Sequence, residues 1–301
     1  MLNHPQILHD IELNKKLLAQ GYITLPLLNA AEVESLKNIF YQHHANDEVN
    51  GLYVSSNHQN GATVAQISDA IQSIFKPALE QHIKDGQTVG GTFLTKAPKQ
   101  TEALEPHQDW SIVDESRFRS FTIWVPLDDV NDSNGAMYVL PGSHETMRGY
   151  RHLTIPSIFG QIYEHVWKRM KPIHLKAGEA IIFDHALGHA SKPNGSDKVR
   201  IAAIHSLIST NAEMRFYWNN NGTVEEFYGE KDFYNSEEAK VGPGNLKKIR
   251  DLDFEIKQLD TTEFDTLMGI DVMVNTDKMT DAHSRIPVGQ SVLERIKSLF
   301  T

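Results

Sequence analysis

From residue 86 onward, the sequence consists of short segments rich in β-branched and aromatic residues, separated by turn residues. Their sequences are TVGGTFLTKAP, FRSFTIWVPLDDV, GAMYVLPGS, KPIHLKAG, EAIIFDH, VRIAAIHSLIS and MRFYWNN. A hairpin turn signal, DSNG (132–135), lies between two of them. Many short strands at such spacing are typical of an antiparallel sandwich or barrel. We therefore expect a mainly β structure, and 301 residues are enough for a substantial core.

The first 87 residues have a different pattern, with apolar residues at helical spacing. We predict helices over residues 5–19, 30–44 and 62–85, with Asn29 as the N-cap of the second helix and a short strand, YITLP, before it. Pro77 lies inside the third segment, and we expect it to break or kink that helix. The predicted fold class is therefore mainly β with flanking helices (α+β).

No internal repeat, low-complexity tract or Gly/Ser linker divides the sequence. We predict a single domain over residues 1–301, with an N-terminal helical region (1–87), a β core (88–235) and a helical or irregular C-terminal extension (236–301). Residues 143–172 lack clean alternation and contain a predicted helix, PSIFGQIYEHVWKRM. A long insertion between strands is where substrate-binding loops usually lie.

The composition narrows both the chemistry and the partners. The absence of cysteine excludes disulfides and thiolate chemistry, so a metal site must use His, Asp and Glu. A net charge of −10 argues against a general affinity for nucleic acid or anionic membranes. We find neither a signal-peptide core nor a run of eighteen apolar residues. We expect a soluble, cytoplasmic protein with a small-molecule substrate, while the sequence carries no signal for its oligomeric state.

The segment LEPHQDWSIVDE (104–115) contains a His-x-Asp pair. Because side chains alternate along a strand, His107 and Asp109 on a strand would point to the same face. A third ligand would complete a triad that holds iron(II) by one triangular face and leaves three positions open. The downstream candidates are His144, His152, His165, His174, His185, His189 and His205.

His189 differs from the other candidates in its downstream sequence. Ser191 and a Pro-Asn turn come next, and Arg200 lies eleven residues beyond His189. An arginine on the next strand is well placed to grip a carboxylate beside the metal, in the bidentate geometry that guanidinium favours. The pattern therefore indicates a metal site combined with a dicarboxylate site.

Four elements occur along the chain in a fixed order: HQD (107–109), NGAMYVLPGSH (134–144), HASKPN (189–194) and Arg200. Together they resemble the phytanoyl-CoA dioxygenase (PhyH) family, whose members are iron(II)- and 2-oxoglutarate-dependent oxygenases. The resemblance covers residues 88–210 and is weaker in the N-terminal helices. It implies a double-stranded β-helix (jelly-roll, cupin-like) core and the cosubstrates 2-oxoglutarate and O2.

The same resemblance implies roles for individual residues. It assigns His107, Asp109 and His189 to iron(II), and Arg200 to the distal carboxylate of 2-oxoglutarate. It also implies cosubstrate contacts at further positions, namely Thr92 in GTFLTKAP, Trp124 in FTIWVPL, and Ser191. Halogenases of the family lack the carboxylate ligand, and chloride takes its place. The presence of Asp109 therefore favours hydroxylation.

Two other classes of protein share parts of this pattern. His185 and His189 form an HxxxH motif, but Ala186 stands where a zinc protease needs a glutamate. A noncatalytic, cupin-like metal-binding protein would keep the fold but has no need for Arg200. We therefore predict a hydroxylase that releases succinate and CO2, with the binding protein as the alternative.

The expected substrate-binding loops carry an excess of positive charge. Between Ser143 and Pro172 there are two acidic residues, Glu145 and Glu164, and five basic ones: Arg148, Arg151, Lys168, Arg169 and Lys171. Such an excess attracts anionic ligands. We predict a small, amino-acid-like metabolite or natural-product intermediate with an anionic group, contacted by Gln108, Arg148 and Arg151. An acyl-CoA or carrier-bound substrate is the alternative.

Overall fold

The structure is a computed structural model that describes residues 6–44, 50–58, 60–236 and 238–270. Its strands are β1 (Tyr22–Pro26), β2 (Leu52–Val54), β3 (Gln87–Lys96), β4 (Leu104–His107), β5 (Ser120–Pro126), β6 (Met137–Val139), β7 (Lys171–Ile173), β8 (Glu179–Asp184), β9 (His189–Ser191), β10 (Arg200–Ile208), β11 (Arg215–Asn220), β12 (Thr223–Tyr228) and β13 (Lys248–Leu252). Within the described residues they form a six-stranded main sheet (β1–β8–β5–β10–β3–β2), a four-stranded second sheet (β4–β9–β6–β7) and a three-stranded sheet (β11–β12–β13). All of these pairings are antiparallel.

The main sheet and the second sheet pack together through buried apolar side chains. Trp124 and Ile181 contribute from β5 and β8 of the main sheet, and Met137 and Val139 contribute from β6 of the second sheet. Every residue of β5 is buried, because this inner strand is covered on both faces. This arrangement is the double-stranded β-helix, or jelly roll, so the predicted fold class is confirmed.

The helices are α1 (Ile11–Gln20), α2 (Ala30–His43), α3 (Gly61–His82), α4 (Ser143–Thr146), α5 (Tyr163–Trp167), α6 (Glu238–Val241) and α7 (Thr261–Leu267), with short 3-10 turns at Ser55–Asn57 and Phe233–Asn235. The first three cover the outer face of the main sheet. Their buried side chains, such as Leu36 and Phe75, share one apolar cluster with Phe93 and Phe121 of the sheet. No helix in the described parts of the chain is long and apolar enough to cross a membrane.

Two predictions for the N-terminal helices have different outcomes. Asn29 caps α2, and its side chain accepts hydrogen bonds from two backbone N–H groups of the first turn, as predicted. Helix α3 continues through Pro77, so the predicted break is wrong. A proline removes one helical hydrogen bond, but Phe75 and Leu79 on either side are buried in the core and hold the helix in place.

The structure also corrects the predicted boundaries of the β core. Strand β1 is the predicted strand YITLP and pairs with β8, whereas β2, also within the N-terminal region (1–87), was not predicted and pairs with β3. Strand β13 lies within the predicted C-terminal extension (236–301) and pairs with β12. Strands β2 and β13 depend on partners that are distant in sequence, so local propensity predicts them poorly. The part of the extension from residue 271 onward lies outside the described residues.

The insertion (143–172) contains less helix than predicted. Only α5 forms within PSIFGQIYEHVWKRM, and the residues around it are turns or irregular. The described part of the C-terminal extension, residues 238–270, forms the C-terminal segment. Phe159 and Val166 of the insertion pack against its residues Leu259 and Phe264. The insertion and the C-terminal segment therefore form one wall beside the second sheet, which also contributes Tyr138 to the cluster.

Candidate metal centre

His107, Asp109 and His189 come together at the edge of the second sheet. Strands β4 and β9 are paired so that His107 lies directly opposite His189. Strand β4 ends at His107, and Asp109 lies just beyond it in the loop, so the predicted strand-borne pair is only partly on the strand. The ligand atoms of the three residues all lie within 4.8 Å of one another. This group can hold a metal ion.

Hydrogen bonds orient both imidazoles for this task. Nδ1 of His107 lies 2.8 Å from the carbonyl oxygen of Glu105, and Nδ1 of His189 lies 2.9 Å from that of Leu187. A carbonyl oxygen only accepts, so each Nδ1 donates and each Nε2 keeps a lone pair for a metal. Two histidines and one carboxylate are the ligand set of non-heme iron(II) oxygenases, and the residues present fit iron(II).

The carboxylate of Asp109 is held on both sides. Its Oδ2 accepts a hydrogen bond from the hydroxyl of Thr122 at 2.6 Å, and its Oδ1 lies 3.6 Å from Nε2 of His189. The backbone carbonyl of Asp109 accepts a hydrogen bond from Nε of Arg151 at 2.8 Å. The Oδ1–Nε2 separation is too long for a hydrogen bond, and it fits two ligands that face a common ion.

Burial and the neighbouring charges keep these groups in their metal-binding forms. Burial and the nearby His189 lower the pKa of His107 to about 4. Burial alone would raise the pKa of Asp109, but His189 and His185 lower it, and the net shift is downward. A neutral imidazole and an ionised carboxylate are the forms that bind a metal, and these are the forms of His107 and Asp109 near neutral pH.

The three residues lie in a cavity with a volume of about 1210 Å3, which also contains Arg200. Arg200 is the first residue of β10 and is 3% exposed. Its guanidinium lies 5.3 Å from the ring of Trp124 and donates to the carbonyl oxygen of Leu94 at 3.4 Å. Among the described residues, its Nε has no hydrogen-bond partner, and no carboxylate lies within ion-pairing distance.

A buried, unpaired guanidinium is costly unless a ligand supplies the missing negative charge. Burial lowers the pKa of Arg200 to about 10, so it remains a cation at neutral pH. The arrangement therefore fits one carboxylate of a small dicarboxylate such as 2-oxoglutarate.

The other residues predicted to contact the cosubstrate line the same cavity as Arg200. Trp124 is buried, and its indole Nε1 has no hydrogen-bond partner among the described residues. Ser191 is also buried and lines the cavity. Thr92 lines the cavity too, but its hydroxyl already bonds to the hydroxyl of Ser55 and the backbone N–H of Ser56. Their roles remain predictions.

Lys96 is a buried residue near Arg200 that sequence reasoning missed. It lies directly opposite Arg200 on the paired strand β3 and is fully buried. Its Nζ donates to the carbonyl oxygens of Ser191, at 3.0 Å, and Lys192. Burial and the charge of Arg200 lower its pKa to about 6. Lys96 thus ties β3 to the end of β9, the strand that carries His189.

The predicted substrate contacts are engaged within the protein. The amide nitrogen of Gln108 donates to the carbonyl oxygens of Met147, at 3.0 Å, and Ala186. Arg148 pairs with Glu115 at 3.0 Å and Asp184 at 2.8 Å. Gln108 and Arg148 therefore already have partners within the protein, and Arg148 is paired with two carboxylates.

Arg151 is paired in the same way. It binds Glu115 at 2.5 Å in addition to the backbone of Asp109. Burial alone would raise the pKa of Glu115, but Arg151 and Arg148 lower it overall, so the acid is ionised and balances both arginines. These ion pairs argue against the predicted role of Arg148 and Arg151 in binding an anionic substrate. Nothing in the sequence indicated that Glu115 pairs with these arginines, because it lies 36 residues away from Arg151.

The part of the cavity farther from Arg200 has mainly apolar walls. The insertion contributes Ile155, Ile158 and Trp167, and the C-terminal segment contributes Phe254 and Ile256. The sequence predicts the insertion as a substrate-binding loop but indicates no function for the C-terminal segment. A long, irregular segment without periodicity gives no sequence signal for such a contact.

The family model of the phytanoyl-CoA dioxygenase (PhyH) family matches residues 17–202. Among curated relatives, phytanoyl-CoA dioxygenase domain-containing protein 1 of Danio rerio is 27% identical over 128 residues, which are 40% of this chain and 44% of the relative. Phytanoyl-CoA dioxygenase 1 of Oryza sativa subsp. japonica is 25% identical over 123 residues, which are 39% and 43% of the two chains. The matched part thus spans less than half the length of these relatives.

A solved structure supports the fold. The non-heme alpha ketoglutarate dependent epimerase SnoN from nogalamycin biosynthesis is similar with a TM-score of 0.50 and 18% identity, over 83% of this chain and 92% of that one. At this level of identity, the likeness concerns the fold alone. The family match covers more than half of the chain, and this protein therefore belongs to the phytanoyl-CoA dioxygenase family.

Proposed function

We propose that this protein is an iron(II)- and 2-oxoglutarate-dependent dioxygenase that hydroxylates a small molecule and releases succinate and CO2, with the chain acting as a single oxygenase domain. The observation that carries the proposal is the pairing of two features in one cavity. A triad of His107, Asp109 and His189 lies in the same space as Arg200, a buried cation without a carboxylate partner among the described residues. The first feature suits iron(II), and the second suits a dicarboxylate.

In this proposal, each residue has a stated task. Nε2 of His107, Nε2 of His189 and the carboxylate of Asp109 would hold iron(II), and with three protein ligands the ion could also bind the cosubstrates. Bound iron supplies the oxidising chemistry that the side chains lack. Arg200 binds the distal carboxylate of 2-oxoglutarate and so fixes the orientation of the cosubstrate. Trp124, Ser191 and Thr92 are proposed to line that pocket.

The noncatalytic, cupin-like alternative accounts for less of the site. A protein that only binds a metal gains nothing from burying an unpaired guanidinium, because a buried charge without a partner destabilises the fold. For the substrate, the size of the cavity supports a small metabolite or natural-product intermediate. The pairing of Arg148 and Arg151 removes the main support for an anionic group on it. No contact among the described residues favours an amino-acid-like or an acyl-CoA substrate.

The test is the consumption of 2-oxoglutarate by the purified protein. With iron(II), ascorbate and O2, we expect succinate to form slowly even without a substrate, and formation should stop when iron(II) is removed by a chelator. The same measurement on His107→Ala provides the matched control for the site. Succinate formation that is absent in the wild-type protein, or equal in the two proteins, would contradict the proposal.

A further inference from the structure

His185 lies beside the proposed iron ligands without joining them. It comes directly after β8, and its backbone N–H donates to the carbonyl oxygen of Ser120 at 2.9 Å. The residue is 3% exposed and lines the same cavity as the triad. Its Nδ1 lies 3.0 Å from the carbonyl oxygen of Trp110, the residue that follows Asp109, so the ring lies beside the loop that carries this ligand. Among the described residues, the group of candidate ligands contains three side chains, and His185 is not one of them.

The two ring nitrogens of His185 have different surroundings. Nδ1 lies 3.0 Å from the carbonyl oxygen of Trp110. Because a carbonyl oxygen cannot donate, Nδ1 carries the proton of this hydrogen bond. In the neutral ring, Nε2 is then an acceptor with a free lone pair. It is buried and has no hydrogen-bond partner in the part of the chain that the structure describes.

A buried acceptor without a partner destabilises a protein, so this nitrogen fits a donor that a ligand supplies. The cosubstrates proposed above cannot supply it. At neutral pH 2-oxoglutarate offers two carboxylates and a ketone, and O2 has no proton to give, so all of their polar atoms are acceptors. Apart from water, the remaining ligand of the cavity is the substrate, and a hydroxyl or N–H group on it can supply the donor.

The rest of the cavity restricts that substrate further. Arg148 and Arg151 are balanced by Glu115 and Asp184, and Arg200 is assigned to the cosubstrate. The surface of the cavity as a whole is largely apolar, with Ile155, Ile158 and Phe254 among the lining residues, although Glu164 and Glu255 also line it. We infer that the substrate is a mainly apolar molecule with a hydroxyl or N–H group near the carbon to be hydroxylated, and that this group donates a hydrogen bond to Nε2 of His185. The inference rests on the proposed function, whose substrate class it specifies.

A matched pair of probes tests this inference without knowledge of the natural substrate. 2-Naphthol and 2-methylnaphthalene have the same apolar ring and differ in a hydroxyl against a methyl group. Their binding to the protein loaded with iron(II) and 2-oxoglutarate is measured by fluorescence in the absence of O2. We expect wild type to bind 2-naphthol about tenfold more tightly, as one buried hydrogen bond allows.

Variants show whether this preference comes from His185. In His185→Phe, which keeps a ring but lacks the acceptor, the two probes should bind equally. In His185→Gln, whose side-chain oxygen can accept, part of the preference should return. His174→Phe is the matched control, because His174 is half exposed beside Asp132 and does not line the cavity, and it should retain the full preference.

A second measurement does not depend on any variant. In the 15N NMR spectrum of the labelled protein loaded with zinc(II) in place of iron(II), His185 should show a proton on Nδ1 and none on Nε2. The Nε2 resonance should move on addition of 2-naphthol and not of 2-methylnaphthalene. A proton on Nε2 in the free protein, equal affinities of wild type for the two probes, no binding of either, or a preference that survives in His185→Phe would each overturn the inference. Loss of 2-oxoglutarate binding or of succinate formation in wild type would instead overturn the proposed function.

Discussion

The two ends of the cavity are built from different kinds of structure. At the inner end, His107, His189 and Arg200 lie on paired strands, and each is held by a bond to a backbone carbonyl. At the outer end, the walls come from the insertion and the C-terminal segment, which contain short helices and irregular chain. Strand positions keep catalytic geometry more closely than loops, and loops vary more readily. We therefore expect the sheets and the loop directly after β4 to hold the metal and cosubstrate, and the insertion and the C-terminal segment to select the substrate.

A buried ionic network connects the two ends. Glu115 binds Arg148 and Arg151, and Asp184 at the end of β8 binds Arg148. Arg151 also holds the backbone carbonyl of Asp109. Arg148 and Arg151 thus attach the insertion to neighbouring parts of the chain, and Arg151 attaches it to the loop that carries Asp109. We expect substitutions at the inner end to affect metal and cosubstrate binding, those in the network to affect stability, and those at the outer end to affect the binding of apolar ligands.

Asp109→Ala gives the largest expected effect. The substitution removes one of three protein ligands, so coupled product formation should be abolished and bound iron should fall. Activity is measured as succinate and product, and bound iron by elemental analysis of the purified protein. Asp128→Ala is the control, because Asp128 is exposed on the surface and pairs with Lys37. Wild-type turnover in a folded Asp109→Ala protein would rule out its role as a ligand.

Glu115→Gln should mainly affect stability. It leaves two buried arginines without their shared carboxylate, and we expect the free energy of unfolding to fall by about 3 kcal/mol. Since the net effect on the pKa of Glu115 is to lower it in the folded state, its contribution is fully present above the unfolded-state pKa of about 4.3 and is lost as the pH falls through the folded-state value. Denaturant unfolding of wild type and variant at several pH values measures both effects. Their difference should shrink at low pH, and a constant difference would contradict the ion-pair explanation.

Thr122→Val tests the support of the metal ligand. The variant loses the 2.6 Å hydrogen bond to Oδ2 of Asp109 but keeps the shape of the side chain. Loss of such an outer hydrogen bond typically weakens metal binding by about ten- to a hundredfold. Iron(II) titration under anaerobic conditions measures the change, with Thr95→Val, at a buried threonine that does not line the cavity, as the control. Unchanged iron affinity would show that Asp109 does not depend on this bond.

Arg200→Lys should reduce the apparent affinity for 2-oxoglutarate by about tenfold or more, because lysine keeps the charge but loses the planar fork. Iron binding should persist. The measurement is a 2-oxoglutarate titration of succinate formation, with Arg215→Lys as the control, since Arg215 pairs with Glu213 and lies outside the lining of the cavity. A titration curve identical to that of the wild type would remove the main support for the dicarboxylate site.

The sequence predicted the inner end of the cavity better than the outer end, for physical reasons. His107 and Asp109 have the spacing of neighbours on one face of a strand, although Asp109 lies just beyond β4. The resemblance to the family supplied His189 and Arg200. The partners of Arg148 could not, because Glu115 and Asp184 are 33 and 36 residues away and their pairing depends on the packed insertion. The basic residues of the insertion therefore suggested an anion-binding site. In the folded structure, carboxylates from other parts of the chain pair with Arg148 and Arg151.

The same reasoning explains two further differences. His185 was considered only as a metal candidate, since nothing local shows that Trp110 fixes its tautomer from 75 residues away. The break expected at Pro77 came from a local rule, and tertiary packing of α3 overrode it. Local sequence rules thus predict structure best where the interacting residues are close together in the chain. The roles proposed for the site residues remain predictions.

Phe254→Ala gives the smallest expected effect and separates the two ends most directly. The ring of Phe254 lines the outer cavity and packs edge-on against Tyr150, with ring centroids 5.0 Å apart. Its loss removes part of the apolar wall, which corresponds to about 1 kcal/mol or about fivefold in the binding of an apolar ligand. We expect 2-naphthol and 2-methylnaphthalene to lose affinity equally, while the affinity for 2-oxoglutarate stays unchanged. Tyr228→Ala, at an exposed aromatic residue outside the cavity, should change neither.

This outcome would contrast with that of His185→Phe, which should weaken only the probe with a hydroxyl group. If Phe254→Ala weakened the binding of both probes and His185→Phe weakened only that of 2-naphthol, the outer loops would supply apolar contact. His185 would then supply the recognition of the hydroxyl group. If Phe254→Ala instead weakened 2-oxoglutarate binding, the two ends would be coupled through the insertion, because Gly149 lies next to both Phe254 and the arginines of the ionic network. The proposed division between sheet and loops would then be wrong.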